Sequence, residues 1–363
     1  MLVESEAVIK LLQHLVLICI GGLFIYLGIK RRYEPFLLLP IGLGIVLTNI
    51  PAAGMMDEGG LFFYLKKYLI DTEILPPLIF MGIGAMTDFT PLLAYPRSIL
   101  LGAATQGGVF IALLIAIVLG FKVPEACSIG IIGGATGPVT VLTTIRLAPH
   151  ILPAVALAGY SYMALVPIIQ PPIIKALTTP EERKIEMRPL RQVSQTEKIL
   201  FPILVTVVCA LIAPIITPLI GMFMMGNLLR ESGVVDRLAK TAQSQMIDVL
   251  TILIGLIVGG MLTAEVFFTR TTMLIILLGL VAFATATACG LIAGKIMCKL
   301  SGGKVNPMLG AAGVSAVPMA ARVVHVMGQK ENPRNFLLMH AMGPNVAGAI
   351  GAAMAAGVFL TLI

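Results

Sequence analysis

Long apolar runs recur along the whole chain. They cover residues 11–29, 35–50, 98–120, 126–145, 152–176, 199–220, 246–263, 272–297 and 336–361, with two shorter or interrupted runs at 74–88 and 305–327. A helix of roughly 20 apolar residues crosses a bilayer core, and shorter runs fit when they are broken or re-entrant. The pattern therefore predicts an all-α polytopic membrane protein with about nine to eleven membrane segments. Composition agrees: charged residues are only 12% of the chain, too few to cover a soluble protein of this length. The net charge of +7 is read as Lys and Arg holding cytoplasmic loops, with no nucleic-acid partner. No signal peptide with a cleavage site precedes the first run, so 11–29 is expected to stay as a span. The five Cys lie in or beside apolar segments without CxxC spacing and read as small buried hydrophobes.

Two polar stretches orient the chain. "IKRRY" (29–33) is short and basic, and the stretch from Lys175 to Lys198 carries six basic residues, so both are placed in the cytoplasm. Five apolar segments lie between them, and an odd number of spans cannot return to the same side. Either one segment is re-entrant, with the Gly-rich runs 74–88 and 126–145 as candidates, or one of the two loops lies on the other side. The resulting division is 1–58 as N-terminal membrane helices, 59–174 as a first repeat, 175–198 as a cytoplasmic linker and 199–363 as a second repeat. Basic amphipathic stretches at 59–70 and 226–244 are expected at an interface.

Run 126–145 is broken by "GGATGPVTV" (133–141), and run 336–361 contains "AMGPNVAGAIG" (341–351). Each carries Ala-x-Gly-Pro, and each has another Gly-rich, Pro-containing segment upstream, at 82–97 and 310–324. Proline removes a backbone N–H and clashes with the preceding turn, while glycine allows a sharp one. Interrupted helices in corresponding positions of two related, inverted halves point to a transporter site. Carbonyls freed around Gly137 and Gly343, with a nearby hydroxyl, amide or carboxylate, form a hard-oxygen cage suited to Na⁺. The embedded polar candidates are Asn306, Asn345, Ser315, Tyr162, Arg322 and Asp88. A deep Arg322 would mark an anion or a carboxylate partner, and a snorkelling one would mark nothing. No Walker A, GxSxG, HExxH or biotin-attachment "MKM" motif is present.

Several stretches carry a resemblance: "FMGIGAMTDFTPLL", "GYSYMALVPIIQPPIIKALTT", "GNLLRESGVVDRLAKTAQ", "NPMLGAAGVSAVPMAARVV" and "NFLLMHAMGPNVAGAIG". Through them the sequence resembles the β subunits of the sodium-pumping, biotin-dependent decarboxylases of oxaloacetate, methylmalonyl-CoA, glutaconyl-CoA and malonate. The resemblance implies a subunit that decarboxylates carboxybiotin and moves Na⁺ outward across the cytoplasmic membrane. It implies biotin carried by a partner carboxyltransferase or carrier chain, a small membrane subunit and a homo-oligomer. The family's functional positions fall on Tyr162, Asn306, Gly310, Ser315, Arg322 and Asn345. In role, Arg322 would attract the carboxylate, Tyr162 would donate a proton, and Ser315 would act with them, while Asn306, Asn345 and Ser315 would hold Na⁺.

One position departs from the family pattern, Gly-Gly-Ala-Asp-Gly-Pro-Thr. Thr136 stands where that pattern has its acid, and Val139 replaces a hydroxyl. Three explanations stay open: an inactive site, Na⁺ held by neutral oxygens alone, or another acid such as Asp88 taking over. Two other functions compete with a pump: a secondary cation or organic-anion transporter without chemistry, and a scaffold subunit that assembles without turnover.

Overall fold

A computed structural model describes residues 2–363, with side chains described from Val8 onward. All regular structure among the described residues is helical. Six helices are long and apolar enough to cross a membrane: Val8–Arg31, Pro96–Val118, Gln195–Ile212, Asp236–Gly260, Arg270–Leu300 and Leu338–Leu362. Two bent pairs bring the number to eight: Leu61–Ile70 with Leu75–Met86 at 71°, and Pro149–Ala164 with Val166–Leu177 at 69°. Leu114, Val118, Leu204, Leu211 and Leu277 are exposed, as lipid-facing side chains must be.

Polar contacts gather at two ends of the bundle. At one end Arg230 pairs with Asp88 (3.7 Å), Arg183 with Glu331 (2.8 Å), and Lys295 donates to the Leu177 carbonyl (3.0 Å). Most of the Lys and Arg lie here, and we call it the basic end. At the opposite end Arg146 bonds Glu73 (2.8 Å), His150 meets Glu125 (2.8 Å), and Asn49 donates to the Leu262 carbonyl (2.8 Å).

These ends explain the odd number of segments. Val123–Gly130 starts beside Glu125 at the opposite end, and Gly137–Leu147 returns there, where His150 bonds Glu125. Segment 126–145 is thus a re-entrant hairpin. Segment 74–88 is instead the second arm of a bent span. A second hairpin enters from the basic end. Its first leg holds Leu309–Ala312, and its second, Met319–Glu331, returns to the Arg183–Glu331 ion pair.

Two expectations are corrected. Run 199–220 is not one span: Gln195–Ile212 ends before Pro214, and a separate helix, Thr217–Glu231, follows. Pre-proline Ala213 is extended (φ −140°), as the Pro214 ring demands. Arg230 lies in that added helix, and the short helix Asp236–Thr241 that follows carries Arg237 and Lys240. Run 336–361 is not broken: Leu338–Leu362 is continuous through Pro344. This proline lies inside the helix, in its second turn, and removes one N–H, a loss that neighbouring groups in a membrane bundle absorb.

Glycines set the closest helix contacts. A Cβ on Gly84 would collide with the Phe223 carbonyl, and one on Gly226 with the Met81 carbonyl, so Leu75–Met86 and Thr217–Glu231 touch backbone to backbone. Pro35–Thr48 and Ile247–Gly260 touch in the same way through Gly44 and Gly259. The long helix Arg270–Leu300 cradles both hairpins: Ala282 lies against Gly133, and Gly290 against Gly310.

Candidate functional site

The first hairpin turns at Ala135, which adopts the left-handed region at φ 50°, ψ 40°. An L-residue there costs roughly 1–2 kcal/mol, so the surrounding structure must hold it. Thr136 follows in extended backbone, and its hydroxyl donates to the Gly134 carbonyl (3.0 Å). The helix resumes at Gly137, whose missing side chain leaves room for the Tyr160 ring. The second hairpin turns through Gly313–Pro318. Ser315 is buried there, and its Oγ has no hydrogen-bond partner.

The two turns meet. Thr136 and Ser315 line one small pocket of about 20 Å³, closed by Phe80, Met163, Phe223 and Ala349. That is room for one water or one bare small cation. Asn345 lies one helical turn before Ala349 and is fully buried. Its amide nitrogen donates to the Ala312 (2.8 Å) and Val314 (2.9 Å) carbonyls, while its Oδ1 is buried without a partner. No carboxylate lines the pocket. Its donors are neutral oxygens, the hard ligands that Na⁺ accepts. Among the described residues no three His, Cys, Asp or Glu side chains gather as a metal site.

The other candidates lie elsewhere. Asp88 accepts from the Thr90 N–H (2.8 Å) and pairs with Arg230 (3.7 Å) at the basic end, outside the pocket. Asn306 donates to the Arg183 (3.1 Å) and Ile185 (2.9 Å) carbonyls and accepts from the Met308 N–H (3.0 Å). Its polar groups are committed to docking the linker. Gly310 lets the second hairpin lie on Gly290, and Gly343 packs against the Ser98 hydroxyl. The Tyr162 hydroxyl donates to the Ile276 carbonyl, and the tyrosine at the first turn is Tyr160, whose hydroxyl is buried and unpartnered.

Arg322 is exposed on the second hairpin's outer leg. It lines a cavity of about 350 Å³ with Pro167, Pro171, Lys175, Lys330 and Glu331. Glu331 is already paired with Arg183, so the cavity favours an anion. Burial raises the carboxyl of Glu34, between the first two helices, above its ordinary value, and the charge of Arg322 acts the other way.

The sequence reading missed three residues. Asn335 is buried and duplicates Asn306, donating to the same Arg183 (3.2 Å) and Ile185 (3.1 Å) carbonyls. Thr105 reaches the Gly313 carbonyl of the second turn (2.9 Å). Gln106 donates to the Gly348 carbonyl (3.2 Å), and its unpartnered Oε1 faces Gly134 of the first turn. A Thr-Gln pair inside the run 98–120 was the available signal. Gln106→Leu is expected to remove the second donor to the Gly348 carbonyl, which keeps its intrahelical bond, at about 0.5–1.5 kcal/mol. A fall in the unfolding temperature and a weaker response to Na⁺, measured together, would check this.

A family model described as the Na⁺-transporting oxaloacetate decarboxylase beta subunit matches residues 13–363. Glutaconyl-CoA decarboxylase subunit beta of Acidaminococcus fermentans is 53% identical over 96% of this chain and 92% of its own length. Methylmalonyl-CoA decarboxylase subunit beta of Veillonella parvula is 54% identical over the same shares. Oxaloacetate decarboxylase beta chain 2 of Salmonella typhi is 46% identical over 96% of this chain and 94% of its own.

Proposed function

The chain belongs to the family of Na⁺-transporting oxaloacetate decarboxylase beta subunits, as a membrane subunit of a decarboxylase complex, and from that premise we propose how it works. It releases CO₂ from carboxybiotin presented by a partner chain and couples that step to Na⁺ export across the cytoplasmic membrane. The observation that carries this reading is the meeting of two hairpins, one from each end, around a pocket with unpartnered oxygens nearby. Thr136, Ser315 and Asn345 hold the ion through neutral oxygens.

The basic end faces the cytoplasm, following the positive-inside rule. Arg322, with Lys175 and Lys330, receives the carboxylate there. In the chemical step the C–N bond breaks, its electron pair stays on the ureido nitrogen, and that nitrogen takes up a proton as CO₂ leaves. Tyr162 can supply the proton only after its bond to Ile276 opens. Two inverted halves are part of the proposal. The paired glycine contacts support it, because Gly84 and Gly226 join Leu75–Met86 of the first repeat to Thr217–Glu231 of the second reciprocally. Partners are a carboxyltransferase or biotin-carrier chain, a small membrane subunit and further copies of this chain.

The neutral pocket favours one second reading, a member that assembles without pumping. Na⁺-stimulated decarboxylation by the reconstituted complex, for this chain and for Thr136→Asp, separates the two. A neutral-oxygen pump turns over with Na⁺ in both, and the Asp variant needs about tenfold less Na⁺ or lower, a gain of about 1.4 kcal/mol. Turnover only in Thr136→Asp would identify a silenced member. No Na⁺ response in either would overturn the pump.

A further inference from the structure

A second basic cavity lies away from the hairpin turns. It measures about 250 Å³ at the basic end, where linker residues Met187–Arg191 close over Arg97, Lys304 and His340. No carboxylate lines it. Arg191 is spent on Glu197 (2.7 Å). Arg97, Arg188 and Lys304 have no carboxylate partner among the described residues. His340 approaches the Arg188 carbonyl through Nε2 (2.8 Å), which makes Nε2 the N–H and leaves Nδ1 buried without a partner. Three uncompensated cations are the donor set of an anion site, and phosphate fits Arg and Lys best.

The cavity does not end in water alone. Tyr95, Arg97 and Ser301 also belong to a neighbouring cleft of about 360 Å³ between Ile99–Thr105 and Arg270–Leu300. The cleft's other walls are mainly apolar, and Leu100, Ile296 and Leu300 are 63%, 54% and 84% exposed on its rim. A charged chamber thus runs into a lipid-facing apolar channel, the shape of an amphiphile with an anionic head. We propose that this is an anionic phospholipid site. The phosphate sits among Arg97, Arg188 and Lys304, and an acyl chain lies in the cleft. Basic pockets between membrane helices at the cytoplasmic side recognise lipid headgroups in this way. The linker forms the chamber's lid, and Met187 also accepts the Asn306 N–H (3.3 Å), so a bound lipid stiffens the linker against the second hairpin.

The test is thermal unfolding of the purified full chain in detergent, with phosphatidylglycerol, phosphatidylcholine or soluble glycerol phosphate added. Phosphatidylglycerol is expected to raise the unfolding temperature by several degrees over phosphatidylcholine. The combined variant Arg97→Gln with Lys304→Gln should keep its temperature in phosphatidylcholine and lose that increment. Leu100→Trp, which fills the cleft, should lose it too. Equal shifts from both lipids, an increment kept in the double variant, or the full shift from glycerol phosphate alone would each overturn the proposal.

Discussion

Asn345→Leu is expected to leave a chain that inserts and assembles, with turnover that no longer responds to Na⁺. Leucine matches asparagine closely in shape, so the C-terminal helix should still form. The substitution deletes the unpartnered Oδ1 beside the pocket and also orphans the Ala312 carbonyl, while the Val314 carbonyl keeps the Ala316 N–H (2.9 Å). Each buried group left without a partner costs about 1–3 kcal/mol. A combined loss near 2.8 kcal/mol corresponds to about a hundredfold weaker apparent Na⁺ affinity. A Na⁺ titration of the decarboxylation rate reads this directly. Asn345→Asp is the informative companion, because it keeps an oxygen, adds the charge that Thr136 lacks and loses both donations. A Na⁺ response that persists unchanged in Asn345→Leu would remove the pocket from the transport path.

Gly310→Ala carries the largest expected effect on stability. A Cβ at this position would collide with the Gly290 carbonyl, and the obstacle is backbone, with no flexible side chain to give way. Arg270–Leu300 and the second hairpin must separate. Overpacking of this kind costs about 1–3 kcal/mol, and a rigid obstacle places it at the upper end. The unfolding temperature of the detergent-solubilised chain should fall by about 2–4 °C. Turnover should fall with it, since the displaced hairpin carries Ser315. Gly221→Ala is the matched control: no atom lies within 4 Å of its added carbon, and alanine is the better helix former, so that variant should be as stable or slightly more so.

The class of the molecule and its first break were legible because proline and glycine have one meaning in an apolar run. The odd number of segments between two basic loops left a re-entrant element or a misplaced loop, and of the two candidate runs 126–145 is the one that turns back. The second Gly-Pro, at 343–344, misled, since neighbouring groups in a membrane bundle re-satisfy the backbone that a helix-interior proline frees. Run 199–220 hid two helices because Pro214 sits inside uninterrupted hydrophobicity. Asn306 and Asn345 look alike as embedded amides, yet one docks a linker and the other keeps a free oxygen. That distinction depends on partners more than 30 residues away along the chain for Asn345, and more than 120 away for Asn306. No local pattern encodes it. Gln106 was overlooked for the same reason.

The absence of a carboxylate from the pocket has an electrical consequence. An ion held where the two hairpins meet sits roughly halfway through the membrane's voltage drop, worth about 1.2 kcal/mol per 100 mV for a unit charge. With an acid at position 136, the empty pocket would be negative and the loaded one neutral, and the return of the empty carrier would feel the field. With Thr136 the empty pocket is neutral and the loaded one carries the full positive charge. In the proposed pump, the burden of the membrane potential then falls on the outward, loaded step, the one that decarboxylation must drive. Current recorded from this chain would be slowed by voltage where an acid-bearing relative's reset is slowed instead.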